Sequence, residues 1–114
     1  MSSQIDIVAI ITPEAGEGGS GMFPSPTNFL IVELLSEVSQ YVKAKEPGTL
    51  KYQITRAKDE VIMIESYKDK AALGAHSSSE TFQAFQKKLQ GEDLVGAPMQ
   101  LKFLKDAGGF SSRL

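Results

Sequence analysis

The chain has 114 residues, of which 41% are apolar and 23% charged, and these values predict a single globular domain over residues 1–114. The net charge of −2, with scattered basic residues, argues against a nucleic-acid-binding protein. The absence of cysteine excludes disulfides and cysteine-ligated zinc, and a single histidine argues against a metal site within one chain.

The N-terminus, Met1 to Gln4, has no basic segment followed by an apolar one, as a secretory signal would have. No apolar run reaches the length that a membrane span requires. We therefore expect a cytoplasmic protein without a membrane span.

The first segment, Ile5 to Thr12, is short and rich in β-branched residues, which predicts a strand that Pro13 ends. Residues 13–27 are rich in glycine and proline and are predicted to form a loop insertion. This loop lacks the glycine and lysine pattern of a phosphate-binding loop. Met22 and Phe23 within it are candidates to cover a pocket, although a disordered loop is an equal alternative.

The segment from about Asn28 to Lys45 has apolar residues at helical spacing, which predicts a helix with Thr27 or Asn28 as its N-cap. Pro47 and Gly48 would end this helix. The predicted inward stripe consists of Ile31, Leu34, Leu35, Val38, Tyr41 and Val42.

Two strands follow as a predicted hairpin, Thr49 to Ala57 and Glu60 to Lys68. The first alternates, with Leu50, Tyr52 and Ile54 on one face. The centre of the second, residues 61–64, is apolar on both faces, so both faces need cover. Helices cover one face of a small sheet, and a second copy of the chain is the simplest cover for the other.

Asp69 is predicted to cap a short helix that runs through Leu73, and a second helix is predicted to begin near residues 77–79 and to end at Gly91. Pro98 to Asp106 is predicted to be the last strand, followed by a tail over residues 107–114. The resulting order, strand-helix-strand-strand-helix-strand, predicts an α+β fold: a ferredoxin-like βαββαβ plait with a four-stranded antiparallel sheet and helices on one face.

His76 is the only histidine, and it follows the end of a predicted strand. Imidazole exchanges a proton near neutral pH, so His76 is the leading candidate for a general base. The alternative is that His76 caps a helix or makes a local hydrogen bond.

The other candidates each have a functional and a structural interpretation. Glu65 could orient the imidazole or bind a substrate hydroxyl, but pairing with a basic residue at a dimer interface is the simpler interpretation. Tyr52 and Tyr67 could donate hydrogen bonds to a substrate or could be half-buried packing residues. Candidate pocket residues, which could equally be core or capping residues, are Met63, Ile64, Phe82, Phe85 and Asn28.

Three segments resemble the antibiotic biosynthesis monooxygenase family when taken in order with this topology. Glu46 to Tyr52 (EPGTLKY) is similar to the turn from the first helix of that family into its second strand. Residues 65–69 (ESYKD) resemble the end of its third strand. Residues 71–76 (AALGAH), with Ser79, Phe82 and Phe85 after them, resemble its helical segment.

The resemblance implies a homodimeric α+β barrel in which two sheets pack together and each protomer keeps an apolar pocket between sheet and helices. It also implies a monooxygenase that oxidises a phenol, a quinol, or a polyketide-like or lipid-derived molecule with O2 and no added cofactor. On this view His76, Glu65 and Tyr67 are the catalytic group. Tyr52, Met63, Ile64, Phe82, Phe85 and Asn28 would bind the substrate.

Three alternatives remain open. The chain could be a dimer that binds a small ligand without catalysis. It could be an isomerase or lyase of the same fold. It could also be a structural dimer whose own side chains fill the pocket. A cavity beside His76 would argue against the last of these.

Overall fold

A computed structural model describes residues 3–14 and 26–113. The predicted loop insertion therefore lies mostly outside the described residues, as do Met22 and Phe23. Within the described ranges, no helix is both long and apolar enough to cross a membrane. The elements are β1 (Ile5–Ile11), α1 (Pro26–Lys45), β2 (Thr49–Ala57), β3 (Glu60–Tyr67), α2 (Lys70–Ser78), α3 (Glu80–Gly91) and β4 (Gln100–Leu104).

The sheet confirms the predicted plait. Its strands lie in the order β2-β3-β1-β4, and every neighbouring pair is antiparallel. Three helices cover the sheet, and α1, α2 and α3 all contact it or one another. The α+β ferredoxin-like architecture is therefore as expected, with strands within two residues of their predicted limits.

The start of α1 differs from the prediction. The helix begins at Pro26 rather than after a cap at Thr27 or Asn28. Proline is compatible with this position because the first turn of a helix does not use its backbone N–H groups. Asn28 is instead fully buried, and its side-chain amide donates a hydrogen bond of 2.7 Å to the carbonyl oxygen of Asp59. Asn28 thus ties α1 to the turn between β2 and β3.

The core lies between the helices and one face of the sheet. Buried residues of α1 follow at intervals of three and four, as one face of a helix requires. They pack against alternate residues of β1 and β3 and against α3. The buried apolar residues of this core are Ala9, Ile11, Ile31, Leu35, Val38, Val42, Val61, Met63, Phe85, Leu89 and Leu94.

Strand β2 contains one irregularity. Thr49 pairs with Tyr67 and Lys51 pairs with Ser66, so Leu50 is an extra residue on the β2 side. Leu50 is exposed and does not continue the face of Tyr52 and Ile54, contrary to the alternation expected from sequence. After this bulge the register is regular, and Tyr52 lies directly opposite Glu65.

Within the described part of the chain, no helix covers the other face of the sheet. Its central residues, among them Val8 and Ile64, are only half-buried in the single chain. Strand β4 forms one edge, and all five of its residues are exposed. Leu101 and Phe103 pair with Ala9 and Ile7, so they lie on the helix-facing side of the sheet, where both remain exposed.

Candidate functional site

Helix α2 carries His76 in its last turn. Asp69 caps this helix by accepting a 2.8 Å hydrogen bond from the backbone N–H of Ala72. The helix continues to Ser78, five residues beyond the predicted end at Leu73, and Ser79 then caps α3 by accepting a hydrogen bond from the N–H of Phe82. His76 is therefore a helical residue and not part of a loop.

Only 3% of the His76 side chain is exposed, and its ring contacts the carboxyl group of Glu46. Nδ1 of His76 lies 2.8 Å from Oε1 of Glu46, whose side chain is only 8% exposed. Because a carboxylate oxygen accepts, Nδ1 carries the hydrogen of this bond. Within the described residues, Nε2 of His76 is buried and has no hydrogen-bond partner.

The turn between α1 and β2 places Glu46 beside α2. Its backbone N–H donates to the carbonyl oxygen of Val42, and its carbonyl accepts from the N–H of Thr49. Gly48 lies so close to α2 that a Cβ added there would be 2.7 Å from Cβ of Ala72. The absence of a side chain at Gly48 therefore allows the turn, and with it Glu46, to approach His76.

Three aromatic rings surround the imidazole. The centroid of Phe82 lies 4.8 Å from that of His76, Tyr52 is at 5.1 Å in an edge-on arrangement, and Tyr67 is at 5.7 Å. These rings make the surroundings of the imidazole largely apolar. Such packing also restricts the ring to one orientation.

A cavity of about 200 Å³ lies between the sheet and α2 and α3, and His76 forms part of its wall. Tyr52, Glu65, Ile7 and Phe103 come from successive strands in one row across the floor. The residues that line it are Ile7, Ala9, Ile11, Leu35, Tyr52, Met63, Glu65, Leu73, His76, Ser77, Phe82, Phe85, Gln86, Met99, Leu101 and Phe103. The side chains of residues 3–14 and 26–113 do not fill this space.

Glu65 is buried on the helix-facing side of β3, and its partner within the chain is Tyr67. Its Oε1 accepts a 2.5 Å hydrogen bond from the hydroxyl group of Tyr67. Burial raises the pKa of the Glu65 carboxyl above its usual value, and the Tyr67 hydrogen bond and the nearby His76 oppose this rise. Glu65 is thus a second group that can carry a proton at the cavity wall.

The two tyrosines are hydrogen-bond donors at neutral pH. Burial, followed by the charge of Glu65, raises the pKa of Tyr52 and of Tyr67 well above the usual range. Neither hydroxyl group therefore serves as a base near pH 7. Tyr67 is fully buried and is not among the residues that line the cavity, so it acts on the site through Glu65.

Six of the nine predicted site residues line this cavity, and three, Tyr67, Ile64 and Asn28, do not. His76, Glu65, Tyr52, Met63, Phe82 and Phe85 all line it. Ile64 lies on the opposite face of β3, because successive side chains of a strand alternate between faces, and it therefore cannot be a wall beside Met63. Asn28 bonds the turn at Asp59 and is not part of the lining.

Sequence reasoning missed Glu46, the partner of His76, and the contributions of β4 and the segment before it. A contact across 30 residues leaves no local pattern, although the acidic residue directly after α1 was visible. No cluster of three or more histidine, cysteine, aspartate or glutamate residues suited to a metal ion occurs in residues 3–14 and 26–113. The polar groups at the cavity are an imidazole, a carboxyl and a tyrosine hydroxyl, together with Ser77 and Gln86.

Comparisons with known proteins agree with this architecture. The sequence profile of the antibiotic biosynthesis monooxygenase family matches residues 30–88, more than half of the chain. No curated protein matches the chain at a significant level.

Solved structures share the fold. A Caulobacter crescentus protein provisionally named an antibiotic biosynthesis monooxygenase aligns with a TM-score of 0.72 at 21% identity, covering 94% of this chain and 92% of its own. Rv0793 from Mycobacterium tuberculosis gives 0.73 at 18% identity, covering 96% and 100%. PA3566 from Pseudomonas aeruginosa gives 0.72 at 22% identity, covering 95% and 98%. The chain belongs to the antibiotic biosynthesis monooxygenase family.

Proposed function

We propose that this protein is a cofactor-independent monooxygenase that oxidises a small, apolar, hydroxylated molecule with O2. One observation carries the proposal: a buried imidazole bonded to Glu46 through Nδ1 lies at the wall of an apolar cavity, and its Nε2 has no partner among the described residues. Family membership and the provisional monooxygenase name of a structural neighbour support the same activity.

The chemistry explains why such a site needs a base. Ground-state O2 is a triplet and accepts electrons one at a time, so the substrate must be a good one-electron donor. A phenolate or enolate donates an electron far more readily than its protonated form. His76 would remove the hydroxyl proton through Nε2, and Glu46 would stabilise the imidazolium that forms.

The overall reaction is balanced without an added reductant. The phenolate gives one electron to O2, and the resulting aryloxyl radical and superoxide combine to form a carbon–oxygen bond at a ring position that carries hydrogen. His76 returns its proton to the outer peroxide oxygen. Loss of the ring hydrogen as a proton then breaks the O–O bond, so that a phenol and O2 give a quinone and water. The substrate itself supplies all four electrons, which is why we propose no cofactor.

The remaining residues would orient the substrate and keep water out. Tyr52 would donate a hydrogen bond to the substrate oxygen, and Tyr67 would fix Glu65 by its 2.5 Å hydrogen bond. Met63, Phe82 and Phe85 would form apolar walls that exclude water from the peroxide intermediate.

The test is oxygen uptake with a panel of phenols and hydroquinones. We expect His76→Gln to lower kcat by about a hundredfold or more, the usual contribution of a general base. Ser78→Ala, at an exposed position of the same helix, is the control and should keep the wild-type rate. Equal rates for wild type and His76→Gln would rule out His76 as the base, and no oxygen uptake by the wild type on any substrate would contradict the proposed activity.

A second candidate, an isomerase, is favoured by the presence of two proton-carrying groups at one cavity, His76 and Glu65. One could remove a proton from carbon while the other delivers a proton elsewhere on the substrate. Exchange of substrate hydrogen for deuterium without oxygen consumption would select the isomerase. Binding with neither reaction would select a ligand-binding protein.

We also propose that two copies pair through the face of the sheet that lacks helices. Val8, Ile10, Ile62 and Ile64 form an apolar strip on this face and are only half-buried in the single chain. A second copy placed over this strip would remove it from water and complete the sandwich that a two-sided apolar strand requires.

A further inference from the structure

The polar groups that line the cavity are few, and none of them is a fixed positive charge. Among the described residues, the lining contains His76, Glu65, Tyr52, Ser77 and Gln86 as its polar members and no lysine or arginine. Glu46 lies directly behind His76. In the described ranges, the titratable groups at or directly behind the cavity wall are therefore two carboxyls, one imidazole and tyrosine hydroxyls.

This arrangement disfavours an anionic ligand. A carboxylate in the cavity would lose its hydration and find no cation to replace it, which costs several kcal/mol. It would also lie beside Glu65, whose own pKa is raised chiefly by burial. The protein thus resists negative charge in this space even on its own side chain.

The imidazole determines which hydrogen-bonding group the ligand must carry. Glu46 accepts from Nδ1, so in the neutral imidazole Nε2 carries a lone pair and accepts a hydrogen bond. A ligand hydroxyl group that reaches this buried atom from the cavity would satisfy it, whereas an ether of the same shape would leave it unpaired.

The cavity volume limits the size of the ligand. A cavity of about 150 Å³ is enough to hold benzene. The cavity of about 200 Å³ in this protein is therefore suited to one ring with a short substituent or to two fused rings. Three fused rings would project from the mouth of this cavity and be only partly buried.

We infer that the cavity selects neutral hydroxylated molecules of one or two rings, which donate their hydroxyl hydrogen to Nε2 of His76, and that it rejects carboxylates of the same shape. The inference rests on the proposed function in one respect: the bound hydroxyl group is the one whose proton His76 removes. It excludes the lipid-derived acids that a monooxygenase of this family could otherwise be expected to accept.

The test is binding under anaerobic conditions, so that no turnover occurs, measured by calorimetry on the full-length protein. Three comparisons separate the claims. We expect 4-ethylphenol to bind about tenfold more tightly than 4-ethylanisole, which lacks the donor. We expect methyl 3-(4-hydroxyphenyl)propanoate to bind at least about thirtyfold more tightly than the corresponding carboxylate. 2-Naphthol should bind more tightly than 2-anthrol.

Equal binding of the ester and the carboxylate would overturn the charge selectivity. Equal binding of the phenol and the anisole would overturn the role of Nε2 as acceptor. An imidazolium would donate a hydrogen bond from Nε2 to the oxygen of either ligand and would not distinguish them. Tight binding of 2-anthrol would overturn the size limit.

A matched pair of variants tests whether a positive charge at the cavity increases the affinity for a carboxylate. Leu101 is 55% exposed at the mouth of the cavity, and Leu104 is exposed on the same strand but does not line the cavity. Leu101→Lys should raise the affinity for the carboxylate severalfold at low salt, and the gain should decline as salt is added. Leu104→Lys should leave the affinity for the carboxylate unchanged. The same gain in both variants, or in neither, would contradict the inference.

Oxygen uptake separates this inference from the proposed function. If the neutral phenol binds selectively but no oxygen is consumed in air, the monooxygenase proposal fails and the ligand selectivity stands. If oxygen is consumed while carboxylates bind as tightly as their esters, the selectivity fails and the monooxygenase proposal stands.

Discussion

Nδ1 of His76 and Oε1 of Glu46 lie 2.8 Å apart, although 30 residues separate them in the chain. The contact joins the turn after α1 to the last turn of α2, and both side chains are buried. It fixes the ring orientation and decides which imidazole nitrogen carries the hydrogen. A second carboxyl, Glu65, lies on the strand below.

Variants of Glu46 should separate its structural role from its electrostatic role. Glu46→Ala leaves the buried Nδ1 without an acceptor and should cost about 1–3 kcal/mol of the free energy of unfolding. Glu46→Gln keeps an acceptor oxygen and most of this stability, but it cannot stabilise an imidazolium as a carboxylate does. We therefore expect Glu46→Gln to lower kcat by about tenfold or more with little change in KM, measured by oxygen uptake.

Glu37→Gln, at an exposed position of α1, is the matched control for the Glu46 variants and should leave kcat and stability unchanged. Nitrogen NMR shifts of the imidazole report the tautomer directly. A Glu46→Gln protein with wild-type kcat would show that Glu46 only supports the fold.

Glu65 should make stability depend on pH. Its folded-state pKa is raised above the usual value near 4.5, chiefly by burial, so the folded protein binds this proton more tightly than the unfolded chain does. This contribution is fully present below pH 4.5 and is lost as the pH rises through the folded-state pKa. Glu65→Gln has no such proton and should lack this pH-dependent contribution. As the pH rises above 4.5, the wild type should therefore lose stability that the variant keeps.

Urea denaturation of wild type and Glu65→Gln at a series of pH values measures this difference. Asp6 provides a contrast, because hydrogen bonds from Gln4 and Ser66 lower its pKa and its contribution is lost on acidification instead. A constant difference between wild type and Glu65→Gln at all pH values would contradict the raised pKa.

Gly48→Ala should lower the free energy of unfolding, because the turn after α1 lies against α2 at this residue. The added Cβ would lie 2.7 Å from Cβ of Ala72, so the helix backbone must shift at a cost of about 1–3 kcal/mol. Gly74→Ala is the control, because it lies in α2 with open space around it and should stabilise the helix by about 0.5–1 kcal/mol. Denaturation curves that ranked the two variants in the opposite order would disprove the close-approach argument.

Ile64→Lys should prevent the proposed pairing of two sheets. A lysine in the centre of the apolar strip would be buried without a partner in the dimer, which should weaken association by at least about a hundredfold. Light scattering after gel filtration measures the mass of the assembly. Gln90→Lys, on an exposed part of α3, should keep the assembly of the wild type. A wild type that is monomeric at high concentration would refute the pairing itself.

The topology was predictable because the period of apolar residues changes from two to about three and a half at each junction between strand and helix. Alternation in β2 and helical spacing in α1 depend on local geometry alone, and both elements were found close to their predicted limits. Topology then follows from the order of elements.

The site was less predictable because it depends on contacts that are distant in sequence. β3 is apolar on both faces, so its pattern does not reveal whether Met63 or Ile64 faces the helices. The register with β1 and the position of the helices decide this. The pairing of His76 with Glu46 was not visible for the same reason, because it depends on how two turns meet in space.

The single irregularity of β2 also determines which side chain is opposite Glu65. Had Thr49 paired with Tyr67 and the strand continued without Leu50 as an extra residue, Lys51 would have been opposite Glu65, and Tyr52 would have faced away from the helices. The ammonium group of a lysine would then have lain on the cavity floor, where it would attract acidic ligands. The extra residue at the start of β2 therefore keeps a positive charge out of the cavity.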